Sequence, residues 1–266
     1  MIIILLYIFT LGCCIGSFIN VLVNRLPKGE SIISPRSRCL ICSEKIRWYD
    51  NIPLISWLNL SGKCRNCKAP ISLTYPFIEF LTGSLFVLNF YSSPTNYENI
   101  PLFLKLIMGF IFIFFCISLS ALDFKYFWLP ESITSLGLIF GLIVSLITQF
   151  AYNIDKFSFI LSIYGGTIGY LFFIFLSILG YFIYKKQVLG GGDAKLSALL
   201  GTWLGVKGLL LAIWIAFNAA GIFVLIGLSI KKIKMNQKIP FGIFLAFSGL
   251  IVWQFGYDNL LKLVKF

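Results

Sequence analysis

The stretch IIILLYIFTLGCCIGSFINVLVN, residues 2–24, carries no charge, and the first basic residue, Arg25, follows it. About 20 apolar residues in an α-helix cross the hydrocarbon core of a bilayer. Basic residues that follow an apolar run, rather than precede it, favour a retained helix with an outside N-terminus over a cleaved signal peptide. Comparable runs, bounded by polar breaks, recur near residues 76–91, 102–122, 132–150, 158–184, 193–206, 208–230 and 241–258. The expected fold is therefore an all-α polytopic membrane protein with about eight spans. The short sixth segment has a second reading, as a re-entrant piece lining a cavity. Composition agrees. Of 266 residues, 59% are hydrophobic and 12% charged, against about 45–50% and about 25% in soluble domains, and the mean hydropathy is +0.92.

Charge sets the expected orientation. The chain has 22 basic and ten acidic residues, and nine of the bases lie between Arg25 and Lys68. With eight spans, the loops on that side also take Lys125, Lys185, Lys186, Lys195 and the cluster Lys231, Lys232, Lys234 and Lys238, making 17. The opposite side keeps five: Lys105, Lys156, Lys207, Lys262 and Lys265. Cytoplasmic loops carry the excess of Lys and Arg, so residues 25–75 are expected in the cytoplasm and both termini outside. The domain reading is a first transmembrane helix over 1–24, a cytoplasmic loop over 25–75 and a polytopic membrane domain over 76–266.

That loop holds four of the seven cysteines, as Cys39-Leu-Ile-Cys42 and Cys64-Arg-Asn-Cys67. Paired C-x-x-C knuckles suit one tetrahedral zinc ion. Two disulfides are the rival reading, which a reducing cytoplasm disfavours. Four thiolates leave no open coordination position, so the zinc is expected to be structural and to supply folding energy to a loop too small for its own core. Cys13, Cys14 and Cys116 fall in spans and read as small apolar residues. The loop's nine bases against three acids, Glu30, Glu44 and Asp50, would suit nucleic acid. Cytoplasmic charge bias and contact with anionic lipid explain them more simply, so no nucleic-acid partner is expected.

The chain has no histidine, which excludes Ser-His-Asp and Cys-His hydrolases and H-E-x-x-H metalloproteases. Acid–base chemistry then falls chiefly to carboxylates, and acids at membrane depth are functional candidates. Glu98, Asp155 and Asp258 fall on the outer side, which leaves Glu79, Asp123, Glu131 and Asp193 beside the loop's three. Asp193 follows Gly190, Gly191 and Gly192 and precedes an apolar run. A helix N-cap explains an Asp there, but three glycines exceed what a cap needs and would admit another backbone. Asp123, in SALDFKYFWLP, ends the third span, where a negative charge is unfavourable to its own helix. Two such aspartates at one membrane face could share a proton, one as base for water and the other as acid for the carbonyl and the leaving amine.

The stretches GSFINVLVNRLPKG, SPRSRCLIC, YDNIPLISWL, GKCRNCKAPIS and YPFIEFLTG, followed by the segment around Asp123, GGGDAK and IPFGIFLA, resemble the bacterial type IV prepilin peptidases over about residues 12–250. The resemblance implies a GXGD-type intramembrane aspartic peptidase, the mechanistic class of presenilin. Asp123 and Asp193 would be its catalytic pair, and Gly190, Gly192 and Lys195 part of the active-site loop. Such enzymes sit in the bacterial inner membrane. On the cytoplasmic side they cleave the basic leader of type IV prepilins and of type II secretion pseudopilins, typically between Gly and Phe. Members with the four-cysteine loop commonly also methylate the new N-terminus with S-adenosylmethionine. Glu79 matches an acid of the family, with methyl transfer as one conceivable role. Where the family often has Pro-Asp, this chain has Pro130-Glu131, and Glu131 is given no catalytic role. No G-x-G-x-x-G follows a strand, so a Rossmann-type cofactor site is not indicated.

Two readings from other classes compete. A membrane-anchored zinc-ribbon adaptor needs no paired acids. A proton-coupled transporter would place them nearer the midplane than the edge where Asp123 and Asp193 fall. Neither the oligomeric state nor the location of the methyl donor is legible in the sequence.

Overall fold

The computed structural model describes every residue except 35, 93–99, 153–158, 186–189, 233–236 and 265–266. Glu98, Asp155, Lys156, Lys186, Lys234 and Lys265, which enter the charge reading, lie outside the described residues. The chain forms two compact units, Met1–Tyr91 and Ser92–Phe266. Among the described residues both are helical, without a named strand.

The first unit contains α1 (Ile2–Arg25), the short α2 (Ile55–Asn59) and α3 (Thr74–Tyr91). Helix α1 meets α3 through small residues. A Cβ added at Gly12 would stand 2.7 Å from the Cα of Gly83, and one at Gly16 2.7 Å from the Cα of Glu79. Lipid tails give apolar helices no hydrophobic reason to associate, so close backbone approach of this kind supplies the contact. At the loop end the seam turns polar. Asn20 Nδ2 donates to the Tyr75 carbonyl at 3.1 Å, and Asn24 Nδ2 donates to the Tyr75 hydroxyl at 3.1 Å.

The second unit contains α4 (Leu102–Tyr126), α5 (Glu131–Tyr152), α6 (Phe159–Tyr184), α7 (Gly191–Ser229), α8 (Phe241–Phe255) and the short α9 (Tyr257–Val264). Helices α6 and α7 touch backbone to backbone, since a Cβ at Gly165 would lie 2.3 Å from the Gly201 carbonyl oxygen. The core is aromatic. Phe112 lies 5.1 Å from both Trp203 and Trp253, centroid to centroid, and Trp203 Nε1 donates to the Gly137 carbonyl at 2.8 Å.

Among the described residues the eight expected segments fall largely on helix, because a chain in lipid must satisfy its backbone polar groups within each segment, though the eighth, 241–258, is interrupted at Gly256. Among the described residues, five helices, α1, α4, α5, α6 and α7, are long and apolar enough to cross a membrane. The other expected spans differ from that measure. Helix α3 has 18 residues and α8 has 15, while the sixth and seventh segments form one run, α7, broken at Gly205 with φ 66° and ψ 177°.

Candidate active site

Asp123 lies in the last turn of α4. That helix ends where Phe127 turns left-handed (φ 51°, ψ 38°) and its N–H closes on the Asp123 carbonyl at 2.9 Å. The chain then passes Leu129 and Pro130 into α5. The Asp123 side chain is buried, and its Oδ2 has no hydrogen-bond partner among the described residues. The backbone N–H groups of Gly242 and Ile243, in the first turn of α8, face its carboxyl. The N-terminus of one helix thus offsets the unfavourable position of this acid at the C-terminus of its own.

Asp193 is buried as well. The sequence left open whether it caps its helix or serves the site. It is not the cap residue: α7 begins at Gly191, and Gly190 is the cap, with φ −74° and ψ 144°. Asp193 therefore stands three residues past the cap, and its carboxyl reaches back to the Gly190 backbone N–H. This is the carboxylate half of a capping box. Asp123, 70 residues away in sequence, lies near enough for its charge to act on the Asp193 carboxyl.

The glycines divide by role. A Cβ on Gly192 would press on Leu129, 2.9 Å from its Cβ, whereas among the described residues Gly191 has nothing within 4 Å and Gly190 only Asp193 Oδ2 at 3.8 Å and a neighbouring backbone nitrogen at 3.9 Å. Gly192 is thus a packing position, and no described side chain crowds Gly190 or Gly191. Lys195, one turn further, pairs with Glu131. The longer acid after Pro130 thus takes up a lysine near the site.

Two residues of this arrangement escaped the sequence reading. Gly242 forms one wall of Asp123, since a Cβ there would stand 2.7 Å from Oδ2 and 3.1 Å from Cγ. Leu129 packs on both Gly192 and Gly242. A glycine and a leucine in apolar surroundings carry no chemical signal, and only the presence of Gly242 in IPFGIFLA hinted at it. Gly242→Ala is expected to lower the cleavage rate by roughly 10²-fold, the scale of a displacement of about 1 Å at a reacting group. Gly221→Ala, whose new Cβ meets nothing within 4 Å, should match wild type. Equal rates for Gly242→Ala and wild type would remove Gly242 from the site.

In the first unit, the sulfur atoms of Cys39, Cys42, Cys64 and Cys67 all lie within 4.8 Å of one another, and none is in a disulfide. Cys39 and Cys67 are 3.8 Å apart, which matches the edge of a tetrahedron with Zn–S bonds of about 2.3 Å. The donor set therefore fits a metal ion. The two knuckles repeat each other at an offset of 25 residues. Bridges Arg38–Lys45 and Lys63–Pro70 close them, and the backbone N–H groups of Cys39 and Cys64 donate to the carbonyls of Glu44 and Ala69 at 2.9 and 2.8 Å. Ser43 and Lys68 both turn to positive φ, 58° and 59°. Beside them Arg65 forks onto Asp50 at 2.7 and 2.8 Å. That hydrogen bonding holds the Asp50 carboxyl below the usual carboxylate range. Glu79 is buried in α3, where it accepts the Leu54 N–H at 2.8 Å and meets Ser17. Leu54 has φ 61°, a strained position for a non-glycine.

Comparison with known proteins bears on what such an arrangement is. Two family models match: the bacterial peptidase A24 N-terminal domain over residues 10–93 and the type IV leader peptidase family over residues 110–225. The chain is 35% identical to the prepilin leader peptidase/N-methyltransferase of Myxococcus xanthus (strain DK1622), over 96% of this chain and 73% of that one. The chain belongs to the type IV leader peptidase family. It is also 31% identical to the prepilin leader peptidase/N-methyltransferase of Stutzerimonas stutzeri, over 92% of this chain and 89% of the relative. Identity is 32% to the type 4 prepilin-like proteins leader peptide-processing enzyme of Escherichia coli O78:H11 (strain H10407 / ETEC), over 90% and 89%. No solved structure matches the chain significantly. The leader-peptidase match takes in both Asp123 and Asp193, and the N-terminal match takes in all four clustered cysteines and Glu79.

Proposed function

We propose that this family member cleaves the basic leader of type IV prepilins and pseudopilins at the cytoplasmic face of the bacterial inner membrane. It then N-methylates the new N-terminal residue, typically Phe, with S-adenosylmethionine as the methyl donor. The observation that carries the peptidase reading is the placement of two buried carboxyls, Asp123 from α4 and Asp193 from α7, with the second within reach of the first one's charge. Burial makes a pair of like charges costly, so the two share one proton. The ionised carboxyl takes a proton from water as it attacks the scissile carbonyl. The protonated one donates to the carbonyl oxygen, and a proton is returned to the leaving amine. Gly190 and Gly191, which no described side chain crowds, suit the approach of an extended substrate backbone beside Asp193. The Lys195–Glu131 pair steadies the start of α7.

Cys39, Cys42, Cys64 and Cys67 would hold zinc, which stabilises the 25–75 loop when bound and takes no part in bond cleavage. We assign Glu79 to holding the Leu54 turn against α3, and a part in methyl transfer would first require breaking that hydrogen bond. No side chain is assigned to the methyl donor. The names of the relatives and the charge bias support the substrate class and the orientation.

The test is mass spectrometry of a prepilin incubated with the enzyme in lipid, with S-adenosylmethionine present. Leader loss and a gain of one methyl on the mature N-terminus are expected. Cleavage without the methyl would remove the second activity. A panel of prepilins and pseudopilins left uncleaved by enzyme with intact fold and zinc would overturn the reading.

A further inference from the structure

The first unit has a cavity of about 370 Å³ between the loop end of α1 and two loop segments, and its lining includes Phe18, Val21, Arg25, Arg36, Ile46 and Trp48. Phe18, Val21 and Arg25 follow at intervals of three and four residues, so they share one face of α1. Along that face the wall passes from aromatic and aliphatic to guanidinium, and Arg25 is the residue that ends the apolar run. From the loop come Arg36, which has no ion pair among the described residues, and Trp48, whose surface is 81% exposed. Tryptophan and arginine at the end of an apolar helix mark the level of lipid headgroups. Among the described residues, no acid lines the cavity.

This charge pattern sorts the occupants. S-adenosylmethionine carries a sulfonium and an ammonium against one carboxylate, so it is a net cation and would meet the guanidinium groups of Arg36 and of Arg25, which also donates to the Ser31 carbonyl at 2.9 Å. A basic leader peptide is repelled in the same way. An anion with an apolar tail satisfies both halves of the wall.

We propose that this cavity is a binding site for an anionic phospholipid, with the phosphate held by Arg25 and Arg36 and the upper acyl chain along Phe18 and Val21. Basic pockets beside membrane helices take such headgroups, and each cationic side chain near the surface contributes about a fivefold preference. The site is independent of the peptidase reading and lies in a different unit from Asp123 and Asp193.

The full chain would be reconstituted in phosphatidylcholine vesicles containing acyl-brominated lipid, as either phosphatidylglycerol or phosphatidylcholine at equal mole fraction. Quenching of Trp48 is read as the difference between wild type and Trp48→Phe. Stronger quenching by brominated phosphatidylglycerol is expected. Arg36→Gln should weaken the preference about fivefold and Arg36→Lys should keep most of it, with zinc content as the check on fold. Equal quenching by the two lipids, or a preference indifferent to Arg36→Gln, would overturn the site. So would loss of the preference on adding millimolar inorganic phosphate, which would make it a free-anion site. Displacement of the brominated lipid by S-adenosylmethionine would give the cavity to the methyl donor and also overturn the proposal.

Discussion

Asp123→Asn and Asp193→Asn are each expected to lower leader cleavage by roughly 10²–10⁴-fold, the contribution of a positioned acid or base. Asparagine keeps the shape of the side chain and removes both its charge and its exchangeable carboxyl proton, so the loss reports chemistry rather than packing. The structure supplies the control. Both carboxyls are buried, and the charge of Asp123 acts on Asp193. Removing one acid from such a pair should leave Tm no lower than wild type. Cleavage kinetics on a prepilin and thermal unfolding of the same reconstituted samples test the two halves together. Near wild-type cleavage by either variant would take that residue out of the pair. The double variant should be little worse than the worse single one, since groups that act as a unit do not add.

Cys39→Ser is expected to release the metal ion and unfold the loop around it. Between residues 30 and 73 only Ser56 and Gly62 are buried among the described residues. The loop therefore has no apolar core of its own, and its fold rests on what draws the four sulfur atoms together. In small structural zinc sites the apparent metal binding free energy is about 10–16 kcal/mol at neutral pH, and it acts as folding energy. Elemental analysis should find about one zinc per chain in wild type and almost none in Cys39→Ser or in Cys64→Ser, its counterpart in the other knuckle. Trypsin should then cut the loop, rich in lysine and arginine, much faster in both variants. Full zinc in either one would mean that the four sulfur atoms do not form a single site.

How much was legible varied with the range of the interaction. The knuckles were readable because each is closed by its own neighbours, Cys39 on Glu44 and Cys64 on Ala69. Asp193 was readable as a candidate with a cap and a functional role both open, because periodicity does not resolve where α7 starts, which is three residues before the start that a cap at Asp193 would give. Glu131 was set aside as a departure from the family pattern, and in the folded chain it takes up Lys195.

By itself the sequence determined the helical elements, the four-cysteine cluster and the two acids worth watching. Each follows from local chemistry: apolar length, C-x-x-C spacing, and carboxyls next to apolar runs. Only the tertiary structure decided that α3 packs on α1 through Gly12 and Gly16, and that Glu79 is tied to Leu54. It also brought Asp123 beside Asp193, against the wall that Gly242 provides. These contacts join segments that are remote along the chain. They depend on which helix faces fit without side chains between them, and that complementarity is a property of pairs of surfaces that no single stretch of sequence carries.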